Sequence, residues 1–492
     1  MAGIVVVGAG MGALAAAARL ATSGHRVTVV ERTETVGGSL GTYRRDGFTF
    51  DTGPGLLHFP AVWRDLFLKT GREPLEECVD LRRVDPATEH RFADGTTVRL
   101  PGFSHAGVTR AMDETFGSGT GDRWRSMLGR ARETWEATRR PLLEEPLTPA
   151  ARAAAEQDDP YPARRAGLLR RRPRTLAAVA EDELRHPGAA AVLTSTVRRY
   201  GLDPSTAPAG AALLAYVEQT FGTWYPAGGI GALAEAVRLR CLDRGVEFLL
   251  GAEAVRVLER DDRAAGVELA DGRRLEAEAV VWGAAWPGPG AVRGTRGRCT
   301  LLLALRGARP EGTAHRTVLH AAEPAGAGRP ESPPVTVDRP DDRELVPDRL
   351  FETAVLSTDV PPHRAGGPAD MWSGGDTGVD WTAPGAAERC AEHMLERAEQ
   401  AGLGLRARVL WQEIRTPAHT ERETGTPGGV IAPPVLAGVG GTLLAPATAG
   451  RLPGAYRVGG QAHPGGGLVH AGMSGALAAG LIVEGPRWRG SY

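Results

Sequence analysis

The sequence contains little cysteine, almost no lysine and no long hydrophobic run. Lys69 is the only lysine, which for practical purposes excludes catalysis through a buried lysine Schiff base. No uninterrupted apolar stretch reaches about 18–20 residues, so we expect no membrane-spanning helix. The cysteines form neither a C-x-x-C pair nor a zinc-binding spacing, which argues against a disulfide scaffold and a zinc site; they are Cys78, Cys241, Cys299 and Cys390.

Neither sign of charge is in excess. The formal net charge is -1 at pH 7, so no overall field points to nucleic acid or to acidic substrates. The N-terminal residues lack a basic region before their apolar run, and we therefore expect no signal peptide and a cytoplasmic protein. With 492 residues, the chain is long enough for two or three interleaved domains.

The N-terminal stretch is organised around a glycine-rich turn. A β-branched run at 4–7 predicts a buried parallel strand, an alanine-rich stretch at 14–20 predicts a helix, and residues 26–30 predict a second strand. The helix N-terminus offers free N–H groups to a pyrophosphate, and the acid after the second strand can accept hydrogen bonds from ribose hydroxyls. A tight turn without ligand is the alternative to a dinucleotide site with the contacts Gly8, Gly10, Met11, Gly12, Ala13 and Glu31.

A second glycine pair follows the ribose acid. It provides another close backbone approach, as a long FAD needs along its ribityl and flavin portions, whereas an NAD domain normally proceeds to its next βα unit. The segment then continues to a Thr-Gly-Pro sequence. The candidate FAD contacts in this segment are Arg32, Gly37, Gly38, Ser39, Thr52, Gly53 and Pro54.

A third motif lies near the C-terminus, where a strand ends at a glycine pair and residues 463–467, His-Pro-Gly-Gly-Gly, lead into a helix at 468–484. Together the three motifs resemble the phytoene desaturase (carotenoid desaturase) family of FAD-dependent, amine-oxidase-like flavoproteins. The resemblance implies that this helix N-terminus stabilises charge on the flavin pyrimidine and that the backbone at 254–255 lies beside the adenine. The implied contacts are Ala254, Val255, Gly459, Gly460, His463, Gly466, Gly467 and Leu468.

The resemblance covers nearly the whole chain and implies an α/β fold. It consists of a Rossmann-like FAD-binding domain of the glutathione-reductase-2 type, a mixed-sheet substrate domain and an inserted helical domain. We expect the FAD-binding domain at 1–105, 221–290 and 426–492, the helical insert at 106–220 and the substrate sheet at 291–425. Two positions depart from the pattern of the wider superfamily: Ser39 replaces a common arginine, and Ala13 replaces the usual third glycine.

The function that the resemblance implies is desaturation of a long apolar isoprenoid, such as phytoene or a related carotenoid, by hydride transfer to flavin N5. Oxygen or a quinone would then reoxidise the flavin. The sequence shows no nucleophilic triad, paired carboxylates or metal cluster, so the proton acceptor is open, with His58, Arg415 and His463 as candidates. The alternatives are an FAD-dependent amine or small-molecule oxidase and a non-redox flavin-dependent isomerase.

Two segments suggest contact with a membrane. Residues 56–68 predict an amphipathic helix, either a core helix or a substrate-entrance helix that touches the membrane. Residues 163–174 concentrate arginine beside leucine, as in a solvated helix face or in a basic amphipathic patch that docks on anionic lipid. For both segments, the interpretation as a membrane contact predicts a peripheral protein on the inner face of the membrane.

Overall fold

The computed structural model describes residues 2–166, 169–171, 174–286, 295–321, 332–370, 378–438 and 442–490. The helices within these ranges are α1 Met11–Thr22, α2 Ala61–Thr70, α3 Leu75–Cys78, α4 His105–Phe116, α5 Thr120–Arg139, α6 Pro149–Gln157, α7 Leu176–Val179, α8 Pro187–Arg198, α9 Leu213–Phe221, α10 Gly231–Asp243, α11 Ala386–Gln400, α12 Pro417–Thr424 and α13 Leu468–Val483.

The strands within the same ranges are β1 Gly3–Val7, β2 Arg26–Val30, β3 Thr42–Arg45, β4 Phe48–Asp51, β5 Leu57–His58, β6 Leu81–Arg83, β7 Thr88–Arg91, β8 Thr97–Leu100, β9 Arg164–Ala166, β10 Leu169–Arg171, β11 Thr223–Pro226, β12 Glu247–Leu249, β13 Ala254–Arg260, β14 Arg263–Leu269, β15 Arg274–Glu276, β16 Ala279–Trp282, β17 Gly297–Arg306, β18 Arg316–Leu319, β19 Val335–Asp338, β20 Phe351–Val360, β21 Val409–Arg415 and β22 Ala455–Arg457.

A parallel sheet with the strand order β12-β2-β1-β16-β22 lies at the centre of the fold. Its central strand β1 is buried on both faces, as its unbroken β-branched run predicts. Ile4 and Val6 face the core shared with helices α1, α10 and α13, while Val5 and Val7 face the core shared with the β13-β14-β15 meander. The sheet is therefore the middle of three layers, with helices on one face and the meander on the other, and its strands come from distant parts of the chain.

A larger mixed sheet has the order β21-β17-β20-β19-β18-β7-β8, in which the pair β18–β7 is parallel and the other pairs are antiparallel. Helix α11 covers one face through Cys390 and Met394. The hairpin β3-β4 packs on the other face, where Phe48 and Phe50 contact Trp411. The hairpin thus joins the segment after the dinucleotide unit to the second sheet.

Helices α4 to α9 form a separate layer with its own apolar core, which includes Met112, Trp124, Met127 and Leu193. All six of these helices begin between His105 and Leu213. Since the chain combines a parallel sheet, a mixed sheet and a helical layer, the predicted α/β fold class is confirmed. In the part of the chain that the structure describes, no helix has both the length and the apolar character needed to cross a bilayer.

Two local predictions are wrong. Within 56–68, residues 57–58 form strand β5, which pairs with β11, and the helix begins only at Ala61, after Pro60. This pairing joins segments far apart in the chain, so no local pattern reveals it. The described part of 163–174 forms the antiparallel strands β9 and β10 rather than a helix. Gly167 and Pro173 disfavour a continuous helix there, although both lie outside the described residues.

Candidate functional site

The glycine-rich turn between β1 and α1 has the geometry of a phosphate cradle. Gly8 adopts φ +86 and donates its N–H to the carbonyl of Val30 at 2.7 Å. The carboxylate of Glu31 accepts a hydrogen bond from the N–H of Ala9 at 2.7 Å, so the predicted ribose acid also fixes the turn. Helix α1 has no side-chain cap at its N-terminus, so its first N–H groups remain available to an anion.

The space above this helix N-terminus is open and fits a pyrophosphate. A Cβ built on Gly10 would have no neighbour closer than the Cα of Gly38, at 4.0 Å. The second glycine pair approaches the first closely, because Gly37 donates its N–H to the carbonyl of Ala9 at 2.8 Å. A Cβ on Gly38 would lie 3.0 Å from the Cα of Gly10, and one on Gly37 would lie 3.2 Å from Ala234, so this close approach requires glycine at the second pair.

The N-terminus of α1 also meets the C-terminal motif. A Cβ on Gly12 would lie 2.7 Å from the backbone N of Gly459 and 2.8 Å from the Oγ of Ser474. The Ser474 hydroxyl accepts from the N–H of Gly459 at 2.8 Å and donates to the carbonyl of Ala471 at 2.6 Å. The first and third motifs, far apart in sequence, are thus in direct contact.

The segment after the second glycine pair is held by its own backbone. Thr52 donates its N–H to the carbonyl of Gly41 at 2.9 Å, and a Cβ on Gly53 would overlap the carbonyl oxygen of Ser39. Gly53 is therefore required by packing alone. Ser39 and Pro54 are exposed and are free to contact a ligand.

A cavity of about 450 Å³ lies beyond the ribose acid and is lined by Arg32, Thr33, Ala252 and Arg422, among others. Arg32 donates to the carbonyl of Arg422 at 2.7 Å, which fixes one wall. The predicted contacts Ala254 and Val255 follow the lining residues in the chain and do not themselves line the cavity. Its position next to the ribose acid suits the adenine end of a dinucleotide.

His463 is fully buried at the junction of the C-terminal motif and the helical layer. Its Nε2 donates to the carbonyl of Glu145 at 3.0 Å, and its backbone N–H donates to that of Pro446 at 2.7 Å. Burial lowers the pKa of His463 to about 4, so the ring is neutral at neutral pH. These contacts make it a tether between two layers. Arg415, another candidate, pairs with Glu423.

At the start of α13, Gly467 is exposed although the residues before it are buried, and its φ of +100 is one that glycine tolerates. Gly466 donates its N–H to the carbonyl of Pro433 at 2.8 Å, and a Cβ there would overlap the carbonyl oxygen of Ala432. Helix α13 therefore begins at exposed backbone and has no side-chain cap.

His58, the third candidate, belongs to a group of polar side chains that the sequence analysis missed. Its Nε2 lies 3.6 Å from an Oε1 of Glu218. That carboxylate also accepts from Arg199 at 2.5 Å and from the hydroxyl of Tyr200 at 3.0 Å. Burial lowers the pKa of His58. The available signal was Glu218, the one charged residue of helix α9.

The Tyr-Pro-x-Gly-Gly turn after β11 is fixed by two carboxylates. Asp342 accepts from the Tyr225 hydroxyl and from the N–H of Gly228, each at 2.7 Å. Asp51, at the end of β4, accepts from the N–H of Ile230 at 3.0 Å. Burial raises the pKa of Asp51 from 3.8 to about 7. The turn thereby connects the second glycine segment with α10.

Comparison with known proteins finds a matching family and several relatives. A family model described as "Flavin containing amine oxidoreductase" matches residues 14–285. The chain is 30% identical over 278 residues to 4,4'-diapolycopene oxygenase of Methylomonas sp, and the match covers 56% of this chain and 54% of the relative. It is 32% identical over 295 residues to a zeta-carotene-forming phytoene desaturase of Myxococcus xanthus, covering 58% of this chain and 53% of the relative.

In those two cases the chain matches about half of the relative's length. A longer match is with hydroxyneurosporene desaturase of Cereibacter sphaeroides, at 28% identity over 98% of this chain and 97% of that protein. These relatives confirm the predicted resemblance to carotenoid desaturases.

Among solved structures, an oxidoreductase from Methanosarcina mazei has a TM-score of 0.61 at 16% identity, covering 96% of this chain and 99% of that one. Putrescine oxidase bound to putrescine has a TM-score of 0.62 at 14% identity, covering 98% of this chain and 99% of that one. At such identities the likeness concerns the fold alone.

Proposed function

The chain belongs to the family of flavin containing amine oxidoreductases and is a flavin-dependent oxidoreductase, and on this premise we propose that it binds FAD and desaturates a long isoprenoid. In this reaction two adjacent carbons each lose a hydrogen, one as a hydride that passes to flavin N5 and one as a proton, while a C=C bond forms between them. Oxygen or a quinone is the proposed final electron acceptor.

The observation that carries the proposal is the close contact between the first turns of two uncapped helices, α1 and α13. The N-terminus of α1 lies at the phosphate cradle, and a Cβ on Gly12 in its first turn would lie 3.0 Å from the carbonyl oxygen of Ala471 in the first turn of α13. FAD is long enough to reach both, and its flavin end carries negative charge at N1 and O2 when reduced, which a helix N-terminus stabilises.

The residues of the cradle have separate tasks in this proposal. The N–H groups at the start of α1 bind the pyrophosphate. Glu31 already accepts from the N–H groups of Ala9 and Thr33 and from the Thr33 hydroxyl, but an ionised carboxylate has about four acceptor positions, so one ribose hydroxyl can still bind. Gly467 leaves room for the ring to approach the first turn of α13.

An apolar wall beside the same space suits an isoprenoid. Phe59 stacks at a tilt on Phe221, with ring centroids 4.1 Å apart, and also contacts the edge of Trp135. Val469 and Met473 of α13 are partly buried against the same core. A hydrocarbon chain lying here would exclude water from the reacting carbons, and positioning in a dry cavity accounts for much of the catalysis of a desaturase.

The first test is expression in a host that accumulates phytoene, followed by analysis of the extracted pigments. New conjugated products are expected from the wild type. They should be lost in Gly10→Val, in which the added side chain fills the cradle. The backbone at Gly10 has φ -73, which valine adopts without strain, so this variant tests the cradle rather than folding.

Purified protein gives the second readout. Anaerobic addition of phytoene should bleach the flavin absorbance of the wild type. A yellow protein that phytoene does not bleach, with unchanged pigments in the host, would contradict desaturation of phytoene. Bleaching by amines instead would favour an amine oxidase, and binding of polyenes without bleaching would favour a non-redox isomerase.

We also propose peripheral docking on a membrane, from which such a substrate would be taken. Leu68 is 63% exposed on α2 and Phe103 is 41% exposed beside it. Arg64 lies over the ring of Trp224 at 5.3 Å, and Arg83 over that of Phe103 at 4.9 Å. Exposed apolar side chains next to arginine suit anionic lipid. A Leu68→Ser, Phe103→Ser double variant should co-sediment several-fold less with phosphatidylglycerol vesicles; equal co-sedimentation would contradict docking here.

A further inference from the structure

The first turn of α13 carries a histidine, His470, whose imidazole forms no hydrogen bond with the described residues. It does not cap the helix, since the N-terminus of α13 has no side-chain cap. A neutral imidazole has one N–H donor and one acceptor nitrogen, and a donor left unpaired inside a protein is costly. An interior imidazole with both nitrogens unbound therefore points to a partner that is not part of the chain.

The ring of His470 is turned toward the start of the helix. Helical side chains lean toward the N-terminus, so His470 covers the residue three positions earlier. Its Nδ1 lies 3.2 Å from the position of a Cβ on Gly467. One turn further along the same face, the hydroxyl of Ser474 binds the backbone of Gly459. The imidazole thus stands where the start of α13 meets the C-terminal motif.

A ligand can reach this position. Gly467 is exposed, although the residues before it are buried. His470 lies deep inside the molecule, yet part of its surface is accessible. Ring carbons of Tyr200 lie 3.9 Å from the same Cβ position on Gly467, and the hydroxyl of Tyr200 already donates to Glu218. A ligand that contacts Gly467 therefore meets ring carbons of Tyr200 and the unbound nitrogens of His470.

The imidazole of His470 is neutral at neutral pH. Burial, together with the nearby ring of His463, lowers its pKa to about 4. The helix N-terminus acts in the same direction, because the positive end of the helix dipole disfavours a second positive charge. Since no described protein group binds either ring nitrogen, the tautomer is free to match the ligand. The residue thus offers a hydrogen bond without adding a charge.

We infer that His470 donates its ring N–H to the pyrimidine edge of FAD and thereby raises the reduction potential of the flavin. This inference rests on the proposed function, in which the start of α13 faces that edge. Transfer of a hydride brings two electrons and one proton to flavin N5 and leaves negative charge at N1 and O2. A donor beside this charge binds the reduced flavin more tightly than the oxidised flavin, because hydrogen bonds to an ionised acceptor are stronger.

The test is the reduction potential of the FAD-loaded protein, measured anaerobically against a reference dye and without an isoprenoid. His470→Leu removes the donor and should lower the equilibrium constant for two-electron reduction about ten-fold, which corresponds to about 30 mV. His470→Gln keeps an N–H donor and should stay within about three-fold of the wild type. His105→Leu, at an exposed histidine in the first turn of α4, is the matched control and should leave the potential unchanged.

A His470→Leu protein whose bound flavin keeps the wild-type potential would overturn the inference. Equal losses in His470→Leu and His470→Gln would also overturn it, because packing rather than the donor would then be responsible. If the leucine variant does not hold FAD, His470→Phe takes its place under the same criterion. A wild-type potential no higher than that of free FAD overturns the inference without any variant. Failure of the proposed function is a different result: no bound FAD, or bound FAD with phytoene unchanged.

Discussion

Gly12 has no room for one additional carbon. The nearest atoms to a Cβ there, at 2.7 to 3.0 Å, include the backbone of Gly459 and Ala471, which cannot move without separating α1 from α13. We expect Gly12→Ala to lower the free energy of unfolding by about 2–3 kcal/mol and to reduce flavin content, as measured by urea denaturation and flavin absorbance.

The matched control for this prediction is Gly129→Ala. Gly129 lies in the middle of α5, is exposed and has nothing within 4 Å of a Cβ. Because alanine loses less chain entropy on folding, the free energy of unfolding of this variant should rise by about 0.4–1 kcal/mol. A Gly12→Ala protein as stable as the wild type would show that the two helices can move apart.

Asp51 makes stability depend on pH. Its pKa is about 7 in the folded protein, mainly because burial desolvates the carboxylate, against an ordinary value of 3.8. Its contribution to stability is fully present below the ordinary pKa and is lost as pH rises through 7, at up to about 1.4 kcal/mol per pH unit. Asp51→Asn keeps an acceptor for Ile230 and removes this dependence.

The measurement is urea unfolding of both proteins at pH 5 and pH 8. The variant should gain more stability relative to the wild type at pH 8 than at pH 5. A difference between variant and wild type that is the same at both pH values would contradict the raised pKa of Asp51.

At the level of elements, the joint between α13 and the loop after β22 depends on one hydroxyl. Ser474→Ala leaves the N–H of Gly459 without its 2.8 Å partner, and an unpaired, partly buried donor costs about 1–3 kcal/mol. We expect the free energy of unfolding to fall by that amount and the protein to retain flavin less well.

The matched control is Ser195→Ala, at another buried helical serine. There only a hydrogen bond to the carbonyl of Val192 is lost, so the free energy of unfolding should fall by about 0.5 kcal/mol or less. Equal losses would contradict a special role for Ser474.

Elements with local signals could be predicted from the sequence. The helix predicted at 468–484 is observed at Leu468–Val483, because glycines end one side of an apolar run and a charged, polar segment ends the other. Strand β5 could not be predicted, since its two residues are strand-like only through pairing with Thr223 and Trp224. The helix predicted at residues 163–174 is wrong for a related reason, because arginine and leucine occur in helices and in hairpins alike.

The candidate site was predictable only in its backbone parts. A glycine motif indicates, in the sequence itself, a place where another group comes close to the backbone. The three motifs do meet in the structure. The polar side chains around Glu218 carry no such motif, because His58, Arg199 and Glu218 come from three separate segments and only the fold brings them together. His463 resembled a site residue in the sequence because it stands among those glycines, yet its contacts are with the helical layer.

At the scale of the whole molecule, the proposed FAD reaches from the cavity beyond Glu31 to the first turn of α13, so its adenylate half should matter for stability. Adding FAD at 100 times its Kd to flavin-free protein should stabilise it by about 2.7 kcal/mol, seen as a higher Tm. FMN, which cannot reach from α13 to Glu31, should give a much smaller shift. Gly10→Val should respond to neither. An equal shift with FMN would contradict the dinucleotide.

Strands β1 and β22 stand in the same sheet with β16 alone between them, although they come from opposite ends of the described chain. A ribosome that adds about 5–20 residues per second needs roughly 20–90 s to proceed from the first of these strands to the second. Throughout that time the nascent chain has the proposed phosphate-binding turn but lacks the wall that α13 supplies. Under the proposed function, the cofactor loads only after α13 has been synthesised, and the rate of synthesis sets the earliest moment at which the enzyme can become active.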